Sequence, residues 1–360
     1  QQALWRLEGL GTRRSKTDTR TDQITLGLRG DVGIGNWEWD ASGTYSGLDQ
    51  DSKVDGYLFK PLLAPAFGPN FIDTDGTVKC GTPTAPIANC VPINPFNLES
   101  EQSVNALRAI GAGYTSNYSY TQKIASLVLN GDLFELPAGP LQAAVGYEYM
   151  DQQANFDTDF NTEAQPPLYN VCQLSNETCS GDSKGGYDVN SFYAEFFIPV
   201  LKDITGFQAL NLTAGVRYSD YEMFGDSTDM TFKIEWRPID DLLVRGSYAE
   251  VFRVPTIYDL YQAPASTAAQ FNDPCVGLTA ADVAANPNLA LACENVPTDG
   301  SFDQPNSQID GLLLGNDELK PETGEVIMVG FVYDPSWLSG LSVNFDYWDY
   351  SLEDVITQVD

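Results

Sequence analysis

The sequence predicts an all-β protein: a transmembrane antiparallel β-barrel segment of about eleven strands with long extracellular loops. Three observations predict it. Apolar and polar residues alternate with period two along much of the chain. Many alternating segments run about ten residues or more, whereas soluble strands average about five or six. The connections also alternate in length: short turns at 33–36, 134–140, 201–207, 238–241 and 335–340, and longer or more polar connections at 13–21, 49–117, 156–187, 223–228 and 254–321. Antiparallel order puts every short turn at one end and every long loop at the other, as periplasmic turns and extracellular loops are sorted in an outer-membrane barrel. A soluble sandwich shares the alternation but gives no reason for that sorting.

A first strand is predicted near 3–13. In 23–31, Ile24, Leu26 and Leu28 alternate with Gln23, Thr25 and Arg29; in 37–45, Trp37, Trp39, Ala41 and Tyr45 alternate with Glu38, Asp40 and Thr44. A strand near 118–133 follows, then Leu141, Ala143, Val145, Tyr147 and Tyr149 against Gln142, Gly146 and Glu148. Phe192, Ala194, Phe196 and Ile198 form the next apolar face. Leu210, Leu212, Ala214, Val216 and Tyr218 alternate with Asn211, Thr213, Arg217 and Ser219, and Met230, Phe232, Ile234 and Trp236 with Thr231, Lys233, Glu235 and Arg237. In 241–253, Val244, Gly246 and Tyr248 oppose Arg245, Ser247 and Ala249; Phe252 marks the outer interface, and Pro255, with no N–H, ends the ladder. Strands near 322–334 and at Leu341, Val343, Phe345 and Tyr347 complete the set.

The chain carries 19 Lys+Arg against 50 Asp+Glu, a net charge of −31, which makes nucleic acid a poor partner because phosphate binding needs basic residues to displace counterions. No apolar run approaches the roughly 20 residues of a membrane helix. Residues 1–5 have neither the basic start nor the apolar run of a signal peptide, so the expectation is that a leader was removed or that the chain is part of a longer protein. The cysteines fall in sequential pairs, Cys80 with Cys90, Cys172 with Cys179 and Cys275 with Cys293, each within a stretch rich in turn formers. With no histidine and no C-x2-C spacing, disulfides within each loop in an oxidising compartment are the favoured reading, other pairings staying open.

Several segments resemble TonB-dependent outer-membrane receptors. "LLVRGSYAEVFRVPTIYDLY" (242–261) resembles the family's strand followed by FR-x-P and LY, and "NDELKPETGEVIMVGFVY" (316–333) its N-x-x-LKPE segment. "LSVNFDYWDYSLEDVI" (341–356) resembles the strand that follows. "CVPINPFN" (90–97), "NGDLFELPAGPLQAAVGYEY" (130–149) and "SFYAEFFIPVL" (191–201) are similar to a subgroup with large, cysteine-containing loops. The resemblance implies a barrel of about 22 strands around a plug. It further implies location in the bacterial outer membrane and active import of a scarce, bulky nutrient, driven by the TonB energy complex through the plug. Neither plug, TonB box nor closing C-terminal strand is recognisable here, so 1–360 is expected to be an internal part of one receptor barrel domain.

Candidate ligand-binding residues are the loop aromatics Tyr57, Phe156, Phe160, Tyr169 and Tyr258, which could stack on a sugar or siderophore, or simply pack within the loops. Asp49, Asp51 and Asp55 could wrap a structural calcium ion, although their spacing departs from the EF-hand pattern and a solvated acidic loop is the plainer reading. No other cofactor is implied. "GDSKGG" (181–186) resembles a serine-protease signature, but without histidine a turn is favoured, and Asp157 with Asp159 is read as loop acidity rather than a glycosidase pair. Arg217, Arg237, Arg245 and Glu148 face the lumen, as plug contacts or as a ladder of ion pairs. The predicted partners are therefore outer-membrane lipid, the TonB complex and a small-molecule or oligosaccharide ligand, the oligosaccharide favoured and a siderophore next. The rival readings are a passive porin or adhesin on the same barrel, and a secreted all-β carbohydrate-active enzyme.

Overall fold

Ten long strands pair in sequence order, each antiparallel to the next, into one sheet. The computed structural model describes residues 8–163, 172–175 and 179–358. The strands are β1 (Arg14–Asp31), β2 (Glu38–Leu58), β3 (Gly111–Leu136), β4 (Gly139–Thr158), β5 (Ser183–Ile204), β6 (Phe207–Tyr221), β7 (Gly225–Ile239), β8 (Leu242–Arg253), β9 (Glu322–Tyr333) and β10 (Val343–Glu353). Turns at 32–37, 137–138, 205–206, 240–241 and 334–342 fall at one end. The connections 59–110, 159–182, 222–224 and 254–321 fall at the other. The sheet is open: among the described residues β1 pairs only with β2, and β10 only with β9.

The register assigns every side chain to a face. Leu28 sits opposite Ala41, Ala41 opposite Leu127 and Leu127 opposite Tyr147. The same row continues through Phe192, Tyr218 and Thr228. This outer face carries a band of bare apolar side chains, with Leu26 75%, Leu28 72%, Phe192 56% and Val329 52% exposed. So much contiguous apolar surface facing away from the protein requires an apolar surrounding. The inner face is polar. Thr25 bonds Thr44 at 3.0 Å and Ser42 bonds Ser126 at 2.8 Å. Arg217 donates to Glu148 at 2.7 Å, and Arg245 grips Asp346 with two bonds, at 3.0 and 2.7 Å. The wall arginines Arg217 and Arg245 are thus paired along the wall itself. Gly330 lies in register between Arg245 and Asp346. A Cβ there would meet Asp346 Oδ1 at 2.0 Å, so the glycine opens the lane through which the fork forms.

Single cysteines at even positions from Leu210 to Tyr218, in a cysteine-free background, should label with apolar probes, and odd positions from Asn211 to Arg217 with aqueous ones. Equal aqueous labelling of both sets would overturn the membrane-facing assignment.

Buried residues collect at the loop end, where loops supply the second layer that a single sheet lacks. Loop 59–110 contains helices α1 (Lys60–Phe67) and α2 (Glu101–Ala109) and closes its own core on Leu58, Ala66, Ile93, Ala106, Leu107 and Ile110. Loop 254–321 carries α3 (Ile257–Tyr261), α4 (Ala280–Ala285), α5 (Leu289–Ala292) and the hairpin Ala265–Gln270 with Gln308–Leu313. All three disulfides form within their own loops: Cys80–Cys90, Cys172–Cys179 and Cys275–Cys293.

The structure corrects several boundaries. No strand occupies the described part of 3–13: Glu8–Leu10 is a turn of 3-10 helix, while 1–7 lie outside the described residues. Segment 13–21 is not a loop but, from Arg14 on, the outer half of β1; with no strand in the described part of 3–13, the sheet has ten strands among the described residues rather than eleven. Arg14, Lys16, Asp18, Arg20 and Asp22 alternate there with Ser15, Thr17, Thr19 and Thr21, the period two of a strand that has risen above the apolar band. For the same reason 49–58 and 111–117 are strand. The connection at 223–228 shrinks to the three residues 222–224. Phe252 packs on Tyr221, ring centroids 5.6 Å apart, within an aromatic cluster that includes Phe224 and Tyr187.

Candidate ligand-binding site beneath the loops

The inner face of β2 to β5 ends, toward the loops, in a cavity of about 700 Å³. Its floor is made by the register. Gln50 lies opposite Tyr118, Tyr118 opposite Phe156 and Phe156 opposite Ser183. In the next inward-facing row, Tyr120 lies opposite Ala154 and Ala154 opposite Gly185. The Tyr120 hydroxyl donates to Gln152 Oε1 at 2.7 Å and accepts from Gln122 Nε2 at 3.3 Å, fixing the ring and the amide together. Lengthwise, Gln152 also donates to Met150 Sδ at 3.2 Å. The floor therefore presents the rings of Tyr118, Tyr120 and Phe156, that of Tyr120 fixed by hydrogen bonds at its hydroxyl, a surface suited to stacking.

The roof is the chain from Arg253 to Ala265. Pro255, fully buried, ends β8. Thr256 then caps α3: its Oγ1 accepts from the Asp259 amide at 3.1 Å while the Asp259 carboxylate accepts from the Thr256 amide at 2.9 Å. Leu260 anchors the helix in the protein, and Tyr261 lies flat on β5 at Gly185, where a Cβ would come 1.9 Å from the ring. The Tyr261 hydroxyl donates to Met223 Sδ at 2.8 Å. Burial pushes the Tyr261 phenol above its ordinary pKa, Asp317 and Glu222 adding to the shift, so this hydroxyl stays a neutral donor at physiological pH.

Among the described residues no carboxylate lines the cavity, in a chain of 50 acidic residues. Tyr, Phe, Gln, Asn and Ser dominate, with Lys184 and Arg253 at the edge and Arg253 already paired to Glu322. Such a lining fits a ligand that offers ring faces and hydroxyl groups.

Of the residues singled out in the sequence, Phe156 and Tyr258 line the cavity. Tyr57 does not: it is buried against Leu174 and Val54, its ring 4.0 Å from the Arg13 guanidinium. Phe160 is exposed outside the cavity, and Tyr169 falls outside the described residues. Asp49, Asp51 and Asp55 lie along β2, where six residues of extended chain span roughly 20 Å, so Asp49 and Asp55 cannot reach one ion. Asp51 instead accepts from Asn117 at 2.9 Å and Asp55 pairs with Lys53 at 3.8 Å. No acidic or cysteine cluster among the described residues has metal-binding geometry. "GDSKGG" is no turn: Ser183 onward is β5, and its Gly185 is the seat of Tyr261.

Sequence reading missed Tyr118, Tyr120, Gln152, Tyr187 and Tyr261. A signal for the first two was present. The lipid-facing residues of β3 are the odd ones, Leu127 and Leu129, so Tyr118 and Tyr120, at even positions, are aromatics on the luminal face.

A meander of long strands with a lipid-facing apolar band and turns and loops sorted to opposite ends defines the wall of an outer-membrane barrel. Residues 2–360 match the family model described as "TonB dependent receptor-like, beta-barrel", and the chain belongs to that family. This places the sheet in the bacterial outer membrane. Among solved structures, the chain is similar to the RagAB peptide transporter (12% identity, TM-score 0.48, covering 93% of this chain and 30% of that one). It is also similar to the siderophore receptor PirA from Acinetobacter baumannii (14%, 0.39, 92% and 50%). PirA from Pseudomonas aeruginosa gives 14%, 0.37, 94% and 55%. The chain thus spans about half or less of the length of these proteins. No curated protein matches the chain.

Proposed function

We propose that the chain forms part of the wall of an energy-coupled outer-membrane transporter that captures a bulky nutrient beneath its three long loops, an oligosaccharide in preference to a siderophore. The observation that carries this reading is the cavity: several aromatic rings, amide side chains and, among the described residues, no carboxylate, in a strongly acidic chain. The open edges of β1 and β10 support a larger closed barrel, because unpaired strand edges in lipid leave backbone groups unsatisfied. A plug within that barrel is the natural contact for the TonB complex. The lipid-facing band speaks against a secreted enzyme.

Tyr120→Ala in the full-length receptor is expected to weaken binding of neutral oligosaccharides by about 10- to 100-fold. It removes a stacking ring, and it leaves Gln152 without the donor that fixes it. Titration calorimetry against a panel of neutral oligosaccharides and a ferric catecholate checks this. Tight binding of the ferric chelate alone, weakened by Lys184→Gln, would favour the siderophore reading.

A further inference from the structure

The Cys172–Cys179 disulfide joins two short arms, 172–175 and 179–181, and each arm touches a different large loop. The Leu174 side chain is fully buried with Val54 and Tyr57, and Leu174 forms a β-bridge with Phe59. On the same arm the Lys60 amide donates to the Gln173 carbonyl at 2.7 Å, and the Ser175 amide to the Leu58 carbonyl at 2.9 Å. These contacts fasten the first arm to the base of loop 59–110. The second arm is fastened to loop 254–321: the Cys179 amide donates to Ser266 Oγ at 2.6 Å and the Ser266 amide to the Cys179 carbonyl at 2.7 Å. Below, Gln173 and Ser180 donate to the carbonyls of Asn161 and Thr162 at 3.0 and 2.9 Å, seating both arms on the continuation of β4. The second arm runs straight into Ser180 and Gly181, and Ser266 adjoins Ala265, all three lining residues of the cavity. The disulfide is the covalent cross-tie between the arms.

We infer that this cross-tied pair of arms is a clasp that makes the two large loops move as one, so that opening or closing the cavity roof is transmitted through Cys172–Cys179 to the α1–α2 module of loop 59–110. The coupling acts without any ligand and so goes beyond the nutrient reading above. The cavity lies between the start of loop 254–321 and the end of loop 159–182, and two short segments, cross-tied and bonded to both large loops, hold that roof against loop 59–110 at little conformational cost. Because the tie is a disulfide, a reductant acts on it directly.

The test uses amide hydrogen exchange on the full-length receptor in detergent. Ser266→Val removes the acceptor of the Cys179 amide and leaves the first arm's contacts untouched, so it loosens the second arm alone. It is expected to raise exchange of the Lys60 and Ser175 amides, on the opposite arm, by roughly fivefold or more, while β6 amides stay unchanged. In Cys172→Ser/Cys179→Ser the cross-tie is absent, and adding Ser266→Val should then change Lys60 and Ser175 by no more than the measurement error, a double-mutant cycle for transmission through the disulfide. A Ser266→Val effect confined to the amides around 179–181 and 263–268 would overturn the inference, as would an undiminished distant effect in the disulfide-free protein. If the cysteine variant does not assemble, the reach of Ser266→Val to Lys60 alone decides.

Discussion

Excising 263–314 and joining Gln262 to Gly315 is expected to abolish nutrient uptake while the barrel still inserts. The two joined residues already touch, since the Gly315 amide donates to the Gln262 carbonyl at 2.8 Å, so the cut closes without moving β8 or β9. Shortening a loop changes closure entropy only slowly, and the strands keep their ladder from Leu242–Tyr333 to Arg253–Glu322. What disappears is the edge of the roof at Ala263 and Ala265, the hairpin behind it and Ser266. Uptake of labelled nutrient by whole cells checks the outcome, with heat-dependent gel migration as the control for assembly. Wild-type uptake by an assembled variant would place capture deeper, on the lumen wall or the plug.

Gly185→Val should lower ligand affinity by about 100-fold, about 2.7 kcal/mol, without disturbing the barrel. The valine Cβ would fall 1.9 Å from Tyr261 Cδ2, far inside van der Waals contact, so the ring must leave its seat on β5. α3 cannot follow by yielding on its other side, because Leu260 is buried and its backbone lies 2.6 Å from where a Cβ on Gly315 would stand. The Tyr261 ring then swings off its seat while α3 stays in place, loses its bond to Met223, and leaves the cavity open to water. Tyr261→Ala added to Gly185→Val removes the clash and should recover part of the affinity, a non-additive result expected of residues in contact. Equal affinity of Gly185→Val and wild type would show that α3 does not shape the site.

Much of the barrel wall was legible because lipid imposes a single rule on every strand. From Leu210 to Tyr218 and from Met230 to Trp236 the outer residue must be apolar, and the period shows without any tertiary information. The rule lapses where the strand leaves the bilayer. Arg14 to Asp22 and Asp49 to Asp55 lie in the same ladder as Ile24 and Tyr45, yet water surrounds their outer face, so charge replaces apolarity and the strand reads as loop. The same lapse produced the calcium reading: three aspartates that look clustered in a loop are spread along an extended chain.

By itself the sequence determined the antiparallel meander and the end on which each connection lies, and it favoured the sequential cysteine pairing that the structure shows, because period, order and short separation are local properties of a chain. Only the tertiary structure decided where a ligand can sit. Gln50, Tyr118, Phe156 and Ser183 come from four strands, and they meet only because the register puts them in one row. Tyr261 reaches them from still farther along the chain because Gly185 has no side chain to keep it off. Such a site is a sum of long-range pairings, each set by backbone hydrogen bonds that every residue type makes alike, so its composition leaves almost no trace in any one segment of the sequence.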